Sequence, residues 1–161
     1  MKILGIDPGT ARTGYGVISS VGKTMKCIDY GCVETPPEKT DADRLVMTYK
    51  AIRNIIKKEK PNYVVIERLF FFRNMKTVMT VSQSRGVVLM ACAQEKANII
   101  EYTPLEIKQS LTGYGRAKKK EVQASVKGHL GLDDIPRPDD AADGLAAAIC
   151  YHMRKGVKKK K

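Results

Sequence analysis

Two short apolar runs, each ending in an acidic residue, constrain the fold of this chain more than any other feature. The first is KILGID at residues 2–7 and the second is PNYVVIE at residues 61–67, so the runs end at Asp7 and Glu67. Continuous apolar runs of this length are typical of strands that are buried on both faces of a sheet. The ends of such strands are where α/β sheets bind ligands. The sequence therefore predicts an α/β fold with acidic side chains at one edge of its sheet.

Alternation and spacing along the rest of the chain predict further strands and several helices. The runs at residues 14–19 and 24–35 follow turns at Pro8 and Gly22, which predicts a hairpin and a third strand. NIIEYT, residues 98–103, predicts a fifth strand. Apolar residues at helical spacing predict helices at residues 41–60, 74–96 with an interruption at SQSRG, 104–111, 118–129, and 139–155 ending at Gly156. We therefore expect a five-stranded mixed sheet flanked by helices on both faces.

The length and charge of the chain predict a single domain with a polyanionic partner. A chain of 161 residues, 43% of them hydrophobic, is large enough to bury one core. We expect one domain over residues 1–156 and a basic, disordered tail over residues 157–161. The formal net charge is +12, and a charge of this size favours a polyanion such as nucleic acid as the partner. The tail is not the sole source, because basic residues also cluster at YGRAKKKEV, residues 114–122.

Cysteine usage and the N-terminal residues predict a soluble protein of the cytoplasm. The cysteines at positions 27, 32, 92 and 150 have no metal-ligand or redox spacing, and several lie in apolar runs, as ordinary buried thiols do. That usage favours a reducing compartment. The apolar run in MKILGIDPGT is too short for a secretory signal or a membrane span, so we expect no association with a membrane.

Five of the 17 acidic residues lie within residues 133–143, a poor arrangement for stability unless a cation binds among them. Acids at the start of a helix also favour the positive end of its dipole and cap its free N–H groups. That explanation suffices for Asp139 and Asp140. Asp143 lies one turn further into the predicted helix, on the same side as Asp140 and next to its apolar residues. Asp143 therefore indicates a role beyond capping.

A candidate set of metal ligands combines the two strand ends with the helix pair: Asp7, Glu67, Asp140 and Asp143. Each acid has an ordinary explanation as a turn or cap residue, but a single fold could bring all of them to one end of the sheet. Unneutralised, they would raise one another's pKa, and hard divalent cations relieve that repulsion. Oxygen ligands suit Mg²⁺ or Mn²⁺, whereas zinc favours Cys or His, and His129 and His152 are better explained as surface or packing residues. Two such ions would support in-line hydrolysis of a phosphodiester.

Several segments together resemble a known family. ILGIDPGTARTGYGVI, VVIERLFF, SQSRGV, EIKQSLTGYGRAKKKEVQ and DDAADGLAAAIC are similar, in order and spacing, to segments of the bacterial RuvC Holliday junction resolvases, and the likeness extends from residue 2 to about residue 153. The resemblance implies a ribonuclease H-like fold. It also implies a Mg²⁺-dependent homodimer that makes paired symmetric nicks in four-way DNA junctions during recombination and repair. Such an enzyme could work with a branch-migration complex of the RuvAB type.

The resemblance also assigns roles to individual residues. The catalytic acids of the family match the four acids proposed above, and Asp140 has the least fixed role because some relatives have His there. Lys108 and Lys119 match basic positions near the scissile strand, although Lys119 is also one of three adjacent and interchangeable surface lysines. Phe70 matches a ring that stacks on an unpaired base, the alternative being a core residue. Further candidate DNA or phosphate contacts, which the sequence does not rank, are Lys118, Arg116, Arg12, Arg68 and Arg85.

Other functions share some of these features. A YqgF-type nuclease of ribosomal RNA precursors would have the same fold and metal but usually lacks the aromatic run LFFF and the paired aspartates. An actin-like ATPase would need a second phosphate-binding turn and a much longer chain. A DNA-binding module without catalysis would gain nothing from four acids. For the dimer, we expect the interface on the broad apolar surface of the 74–96 helix, which could equally be plain core.

Overall fold

The computed structural model of the protein describes residues 1–68 and 75–155, without the side chains of residues 75–77. The strands in this part of the chain are β1 (Lys2–Asp7), β2 (Arg12–Val21), β3 (Thr24–Glu34), β4 (Tyr63–Glu67) and β5 (Ile99–Tyr102). The helices are α1 (Asp41–Glu59), α2 (Met75–Gln94), α3 (Pro104–Thr112), α4 (Lys119–Leu130) and α5 (Asp139–Arg154).

One mixed sheet carries all five of these strands in the order β3-β2-β1-β4-β5. β1, β2 and β3 pair antiparallel as successive hairpins, while β4 and β5 join the other side of β1 in parallel. The parallel pairs require crossover connections, which α1 and α2 supply. β1 therefore lies at the centre of the sheet, and the expected five-stranded mixed sheet is confirmed.

Helices cover both faces of the sheet, as the sequence predicts. Alternate residues of β1 point to opposite faces. Leu4 packs in a core with residues of α1 and α2, whereas Ile3 packs in a second core with residues of α3, α4 and α5. The continuously apolar sequence of β1 follows from this double burial.

Glycines allow α5 to lie directly on β1 and β2. A Cβ at Gly5 would lie 2.0 Å from the carbonyl oxygen of Gly144, and a Cβ at Gly144 would lie 2.7 Å from the backbone of Tyr15. Real Cβ atoms do not come this close, so side chains at these positions would force helix and sheet apart. The alanines of α5 extend the same close packing, and the first turns of the helix are held near the carboxyl end of β1.

Some element boundaries differ from the predicted ones. The predicted interruption at SQSRG is wrong, because α2 runs unbroken from Met75 to Gln94. The buried Ser84 donates a hydrogen bond across the fold to the carbonyl of Gly9 at 2.8 Å, so a polar residue occupies the inner side of the helix without ending it. α5 ends at Arg154, and Gly156 lies outside the described residues.

The histidines and the cysteines lie in surface or packed positions, as the sequence predicts. His152 is buried and shares a 2.6 Å hydrogen bond with Ser20, while His129 is exposed. All four cysteines are free thiols. Within residues 1–68 and 75–155, no helix has the length and apolar character that a membrane span requires.

Candidate active site

Asp7 and Glu67 lie side by side at the carboxyl ends of two parallel strands. β1 and β4 pair with Ile6 next to Ile66, so the following residue of each strand is also adjacent. Side chains two residues apart in a strand share a face. The residues two positions before the acids both lie beneath the α3–α5 layer: Gly5 and Val65. Both carboxylates therefore face that layer.

Helix α5 brings the other two predicted acids to the same edge. The carbonyl oxygen of Asp140 lies against Gly14, where an added Cβ would be 1.8 Å away. Gly14 pairs with Asp7 across the β1–β2 hairpin, so the first turn of α5 lies beside the end of β1. Asp143 follows one turn later and is part of the wall of the same cavity as Asp7. Local strand and helix geometry thus brings together acids that are up to 136 residues apart in sequence.

A cavity of about 230 Å³ contains most of the predicted site. Its wall includes Asp7, Glu67 and Asp143 together with two predicted basic residues, Lys108 and Lys119. Three of the four predicted acids therefore share one cavity. Asp140 instead lines an adjoining cavity of about 630 Å³, together with Arg12, Lys119, Arg137 and Asp139. Lys119 lies at the boundary, because it lines both cavities.

Burial and mutual repulsion disfavour the charged forms of the three acids. The pKa of Asp7 is raised well above its usual value by burial, and then by Glu67, Asp143 and Asp140. Burial and Asp143 raise the pKa of Glu67 to about 7, against the opposing influence of Lys108 and Lys119. Burial also raises the pKa of Asp143, although Lys119 partly offsets this. The cavity therefore holds more negative charge than its own cations neutralise.

Lys119 contacts two carboxylates of α5. Its Nζ lies 3.3 Å from an oxygen of Asp143 and 3.4 Å from an oxygen of Asp139. Burial lowers the pKa of Lys119, but Asp143 and Asp139 outweigh burial and raise it overall. Lys119 lowers the pKa of Asp139, which also accepts a 2.9 Å hydrogen bond from Gln123. Lys119 is thus fixed at the cavity by charge and stays protonated.

The acids supply the oxygen donors that a hard divalent cation prefers, but their side chains do not converge on one point. No group of three or more His, Cys, Asp or Glu side chains, among the residues that the structure describes, converges closely enough to hold a metal ion as it stands. The donors are carboxylate oxygens that share a cavity and raise one another's pKa, which is the situation that Mg²⁺ relieves.

Comparison with known proteins then assigns the family. The family model described as crossover junction endodeoxyribonuclease RuvC matches residues 3–151. The chain belongs to the RuvC family. It is 51% identical to the crossover junction endodeoxyribonuclease RuvC of Syntrophomonas wolfei over 94% of this chain and 88% of that protein. It is 50% identical to the RuvC of Caldicellulosiruptor saccharolyticus, over 94% of this chain and 92% of that protein.

Solved structures of other proteins agree with the fold described above. The RuvC of Thermus thermophilus superposes with a TM-score of 0.90 at 31% identity, covering 97% of this chain and 96% of that one. The same protein in complex with Holliday junction substrate also gives a TM-score of 0.90, covering 96% of this chain and 94% of that one. The yeast mitochondrial Holliday junction resolvase Ydc2 shares the fold with a TM-score of 0.71 at 12% identity, over 96% of this chain and 80% of that one. The expected ribonuclease H-like fold is therefore confirmed.

Sequence analysis missed the residues that fix the loop after Asp7. The carbonyl of Gly9 accepts hydrogen bonds from Ser84 of α2 at 2.8 Å and from Thr13 at 3.0 Å. The carbonyl of Thr10 accepts a bond from Arg44 of α1 at 3.2 Å. Two helices on the opposite face thus hold the loop that begins at the first acid. The motif SQSRGV pointed to this region, since it resembles the RuvC family, but no pattern in the sequence explained its serines.

The other predicted basic residues are divided between the faces of the protein. Lys118 and Arg116 are exposed beside the start of α4, close in sequence to Lys119. Arg12 pairs with Glu34 at 3.2 Å near the adjoining cavity. The remaining two arginines, Arg68 and Arg85, both pair with Glu101 of β5.

Arg85 is not brought to the cavity. Its partner Glu101 is aligned with Ile66, which packs beneath α1 and α2. Arg85 therefore lies on the face of the sheet opposite the acids, and its contact with phosphate stays a prediction. The sequence could not show this placement, because a helix position alone does not say which face of the sheet the helix covers.

Two predictions fall on parts of the chain that the structure does not describe. Phe70 lies in the gap at residues 69–74, and the basic tail lies beyond residue 155. Both stay predictions.

Proposed function

We propose that this chain is a structure-selective DNA endonuclease that resolves four-way, or Holliday, junctions by paired symmetric nicks in recombination and repair. The observation that carries the proposal is the shared cavity of Asp7, Glu67 and Asp143, in which burial and neighbouring carboxylates raise the pKa of all three. Membership of the RuvC family supports the activity, because its relatives are named crossover junction endodeoxyribonucleases. The solved complex of a relative with Holliday junction substrate supports the choice of DNA.

The enzyme depends on metal, and we propose that Asp7, Glu67, Asp143 and Asp140 hold two Mg²⁺ ions, with Mn²⁺ as a substitute. Bound there, the ions would supply an activated water and stabilise the departing oxygen of the phosphodiester. Asp7 and Glu67 are held in place by the β1–β4 ladder, so their spacing is fixed by backbone hydrogen bonds. Asp140 lines the adjoining cavity together with Arg12 and Lys119, and its charge is among those that raise the pKa of Asp7.

Basic residues balance the charge that the acids and the DNA bring together. We assign Lys119 to the catalytic set, because an ammonium held at the cavity can stabilise charge that develops on the phosphate. Lys108, in the same cavity wall, contacts the DNA near the cut strand. Arg116 and Lys118 bind the phosphate backbone outside the cavity, where exposed charges contribute to affinity and to its dependence on salt. Phe70 stacks on a base that is unpaired at the crossover.

A homodimer is part of the proposal, because two symmetric cuts need two active sites in a fixed relation. One side of α2 packs in the core through Val88 and Ala91, while Met79 and Met90 of the same helix are exposed. Exposed methionines on an otherwise packed helix support an interface at that surface. We expect a RuvAB-type branch-migration complex as a further partner.

We also infer that residues 1–156 form one nuclease domain and that residues 157–161 form a basic tail. The described elements of this range share one sheet and its two helical layers, which supports a single domain. The four free thiols support a cytoplasmic location, since a reducing compartment keeps thiols free.

One assay tests the function directly. The purified protein is incubated with a labelled mobile four-way junction, a plain duplex and a structured RNA, each with Mg²⁺ and with chelator, and the nicks are mapped. We expect symmetric nicks in the junction only, and only with Mg²⁺. Cleavage of the RNA instead would favour a nuclease of RNA precursors, and binding without cleavage would favour a DNA-binding module.

A further inference from the structure

Asp139 has a set of contacts that capping does not explain. It is the first residue of α5, where an acid would ordinarily serve the helix dipole. Yet its two oxygens are both directed at α4: one accepts the 2.9 Å bond from Gln123 and the other lies 3.4 Å from Lys119. These partners are four residues apart and share one face of α4. Asp139 therefore connects two helices rather than capping one.

Gln123 makes this connection rigid. Its side chain belongs to a residue that is only 8% exposed, so the amide is fixed by the packing around it. The hydrogen bond to Asp139 in turn orients the carboxylate, whose second oxygen meets the ammonium of Lys119. Asp139 itself is 62% exposed at the side chain and has no such packing of its own. A buried amide thus holds an exposed carboxylate in position.

The two carboxylate partners of Lys119 differ in whether a bound metal ion would compete for them. Asp143 belongs to the acids proposed to hold metal, and a cation there would compete with the ammonium for the same oxygen. Asp139 does not line the cavity shared by Asp7 and Glu67, so it is free of that competition. Once a metal ion is bound to Asp143, Asp139 is the partner that keeps Lys119 at the cavity.

We propose that Asp139 is a positioning residue that holds Lys119 over the cleavage site. Gln123 orients Asp139 by a hydrogen bond, and Asp139 in turn holds Lys119 by an ion pair. This inference rests on the proposed nuclease function. It also distinguishes Lys119 from its neighbours in the run of three lysines. Lys118 and Lys120 form no ion pair within the part of the chain that the structure describes, whereas Lys119 forms two.

Single-turnover cleavage of a mobile junction, at saturating protein and Mg²⁺, tests the proposal. Asp139→Asn removes the charge that attracts Lys119 but keeps the shape of the side chain. We expect the cleavage rate constant to fall about tenfold, since small displacements of a catalytic group have large effects on rate, while junction affinity is unchanged. Asp134→Asn is the matched control: it makes the same change of charge in the same acidic segment, at an exposed residue without an ion pair among the described residues, and should cleave normally.

A double-mutant cycle separates positioning from a structural role. In a Lys119→Ala background, Asp139→Asn should have no further effect on the rate, because the group that it positions is gone. A normal rate for Asp139→Asn at saturation, or an equal loss of rate in both backgrounds, would overturn the proposal.

A measurement on the free protein, without DNA, tests the contact between Asp139 and Lys119 independently of the proposed nuclease function. Amine-selective labelling followed by mass spectrometry compares Lys119 with Lys118 in the free protein. We expect Lys119 to be labelled more slowly than Lys118 in the wild type and to lose much of that protection in Asp139→Asn but not in Asp134→Asn. Unchanged labelling would refute the positioning contact. A wild-type protein that shows the protection but nicks no junction would refute the nuclease function, and with it any role for Asp139 in cleavage.

Discussion

At the level of single residues, we expect the cavity acids to lower the stability of the folded protein when they are charged, because burial raises the pKa of each. Glu67 shows this most clearly, because burial and Asp143 raise its pKa from 4.5 to about 7. Below pH 4.5 the group is protonated in both the folded and the unfolded chain. Between the two pKa values only the unfolded chain ionises, so the free energy of unfolding falls as pH rises. Above pH 7 the full penalty applies.

The fall in the free energy of unfolding with rising pH gives a prediction for Glu67→Gln in the absence of metal. At pH 8 the variant should be more stable than the wild type, by about 3 kcal/mol, because glutamine carries no charge to bury. Near pH 4.5 the two proteins should be almost equally stable. Chemical unfolding with chelator at both pH values measures the difference, and a variant that is destabilised equally at both would show that Glu67 is not strained by charge.

Addition of Mg²⁺ should restore the stability that the charged Glu67 side chain costs the folded protein. We expect the midpoint of thermal unfolding of the wild type at pH 8 to rise with Mg²⁺ concentration, because an ion that binds only the folded state stabilises it. The rise should be much smaller in Glu67→Gln. An equal rise in both proteins would place the ion elsewhere.

At the level of elements, the contact of α5 with the β1–β2 hairpin determines where the helix acids lie. Gly14→Ala would place a Cβ 1.8 Å from the carbonyl of Asp140, so the helix must move away from the end of β1. We expect a loss of stability of about 1 to 3 kcal/mol and a cleavage rate that falls much more than junction binding. Unfolding and single-turnover cleavage measure the two effects.

Gly128→Ala is the control for that substitution. Gly128 lies within α4 with no atom near the position of its Cβ, so alanine should leave cleavage unchanged and stabilise the helix by up to about 1 kcal/mol. If Gly14→Ala behaved like Gly128→Ala, the close contact of α5 with β2 would not be what fixes the acids.

The sequence predicts the elements better than it predicts their contacts. Asp7 and Glu67 could be foreseen at strand ends because apolar runs have a clear pattern. The alignment of β1 with β4 could not, since register depends on contacts between distant parts of the chain. That Asp140 lines the adjoining cavity and that Arg85 lies on the far face could not be read from the sequence for the same reason. The serines of SQSRG suggested a break in α2, but a tertiary hydrogen bond to Gly9 accounts for Ser84.

At the level of the whole molecule, a basic exterior and an acidic cavity divide the handling of DNA. The formal charge of +12 favours binding of the polyanion, and in our proposal the acids act only where the scissile phosphate enters. In the proposed homodimer, paired cleavage depends on how two copies of the chain are arranged. Met79, 74% exposed on α2, is our test position for that arrangement.

If the proposed dimer forms through this surface of α2, Met79→Asp should give a monomer that still folds. A charge at an apolar interface is costly to bury, whereas it costs little on the free surface. Val21→Asp is the matched control, because Val21 is 75% exposed at the end of β2, away from α2. Sedimentation at micromolar concentration measures both, and we expect only Met79→Asp to be monomeric and to lose paired nicking. A dimer that survives Met79→Asp would exclude this surface as the interface.

Asp7→Asn is the most direct test of the claim that the shared carboxylates bind the ions needed to cut DNA. The change removes one negative charge with little change of shape, at a residue surrounded by the other acids. Junction binding and junction cleavage are measured on the same preparation in Mg²⁺. We expect binding to remain at the wild-type level and cleavage to be abolished, whereas a variant that cuts at the wild-type rate would contradict the metal-bound nuclease site.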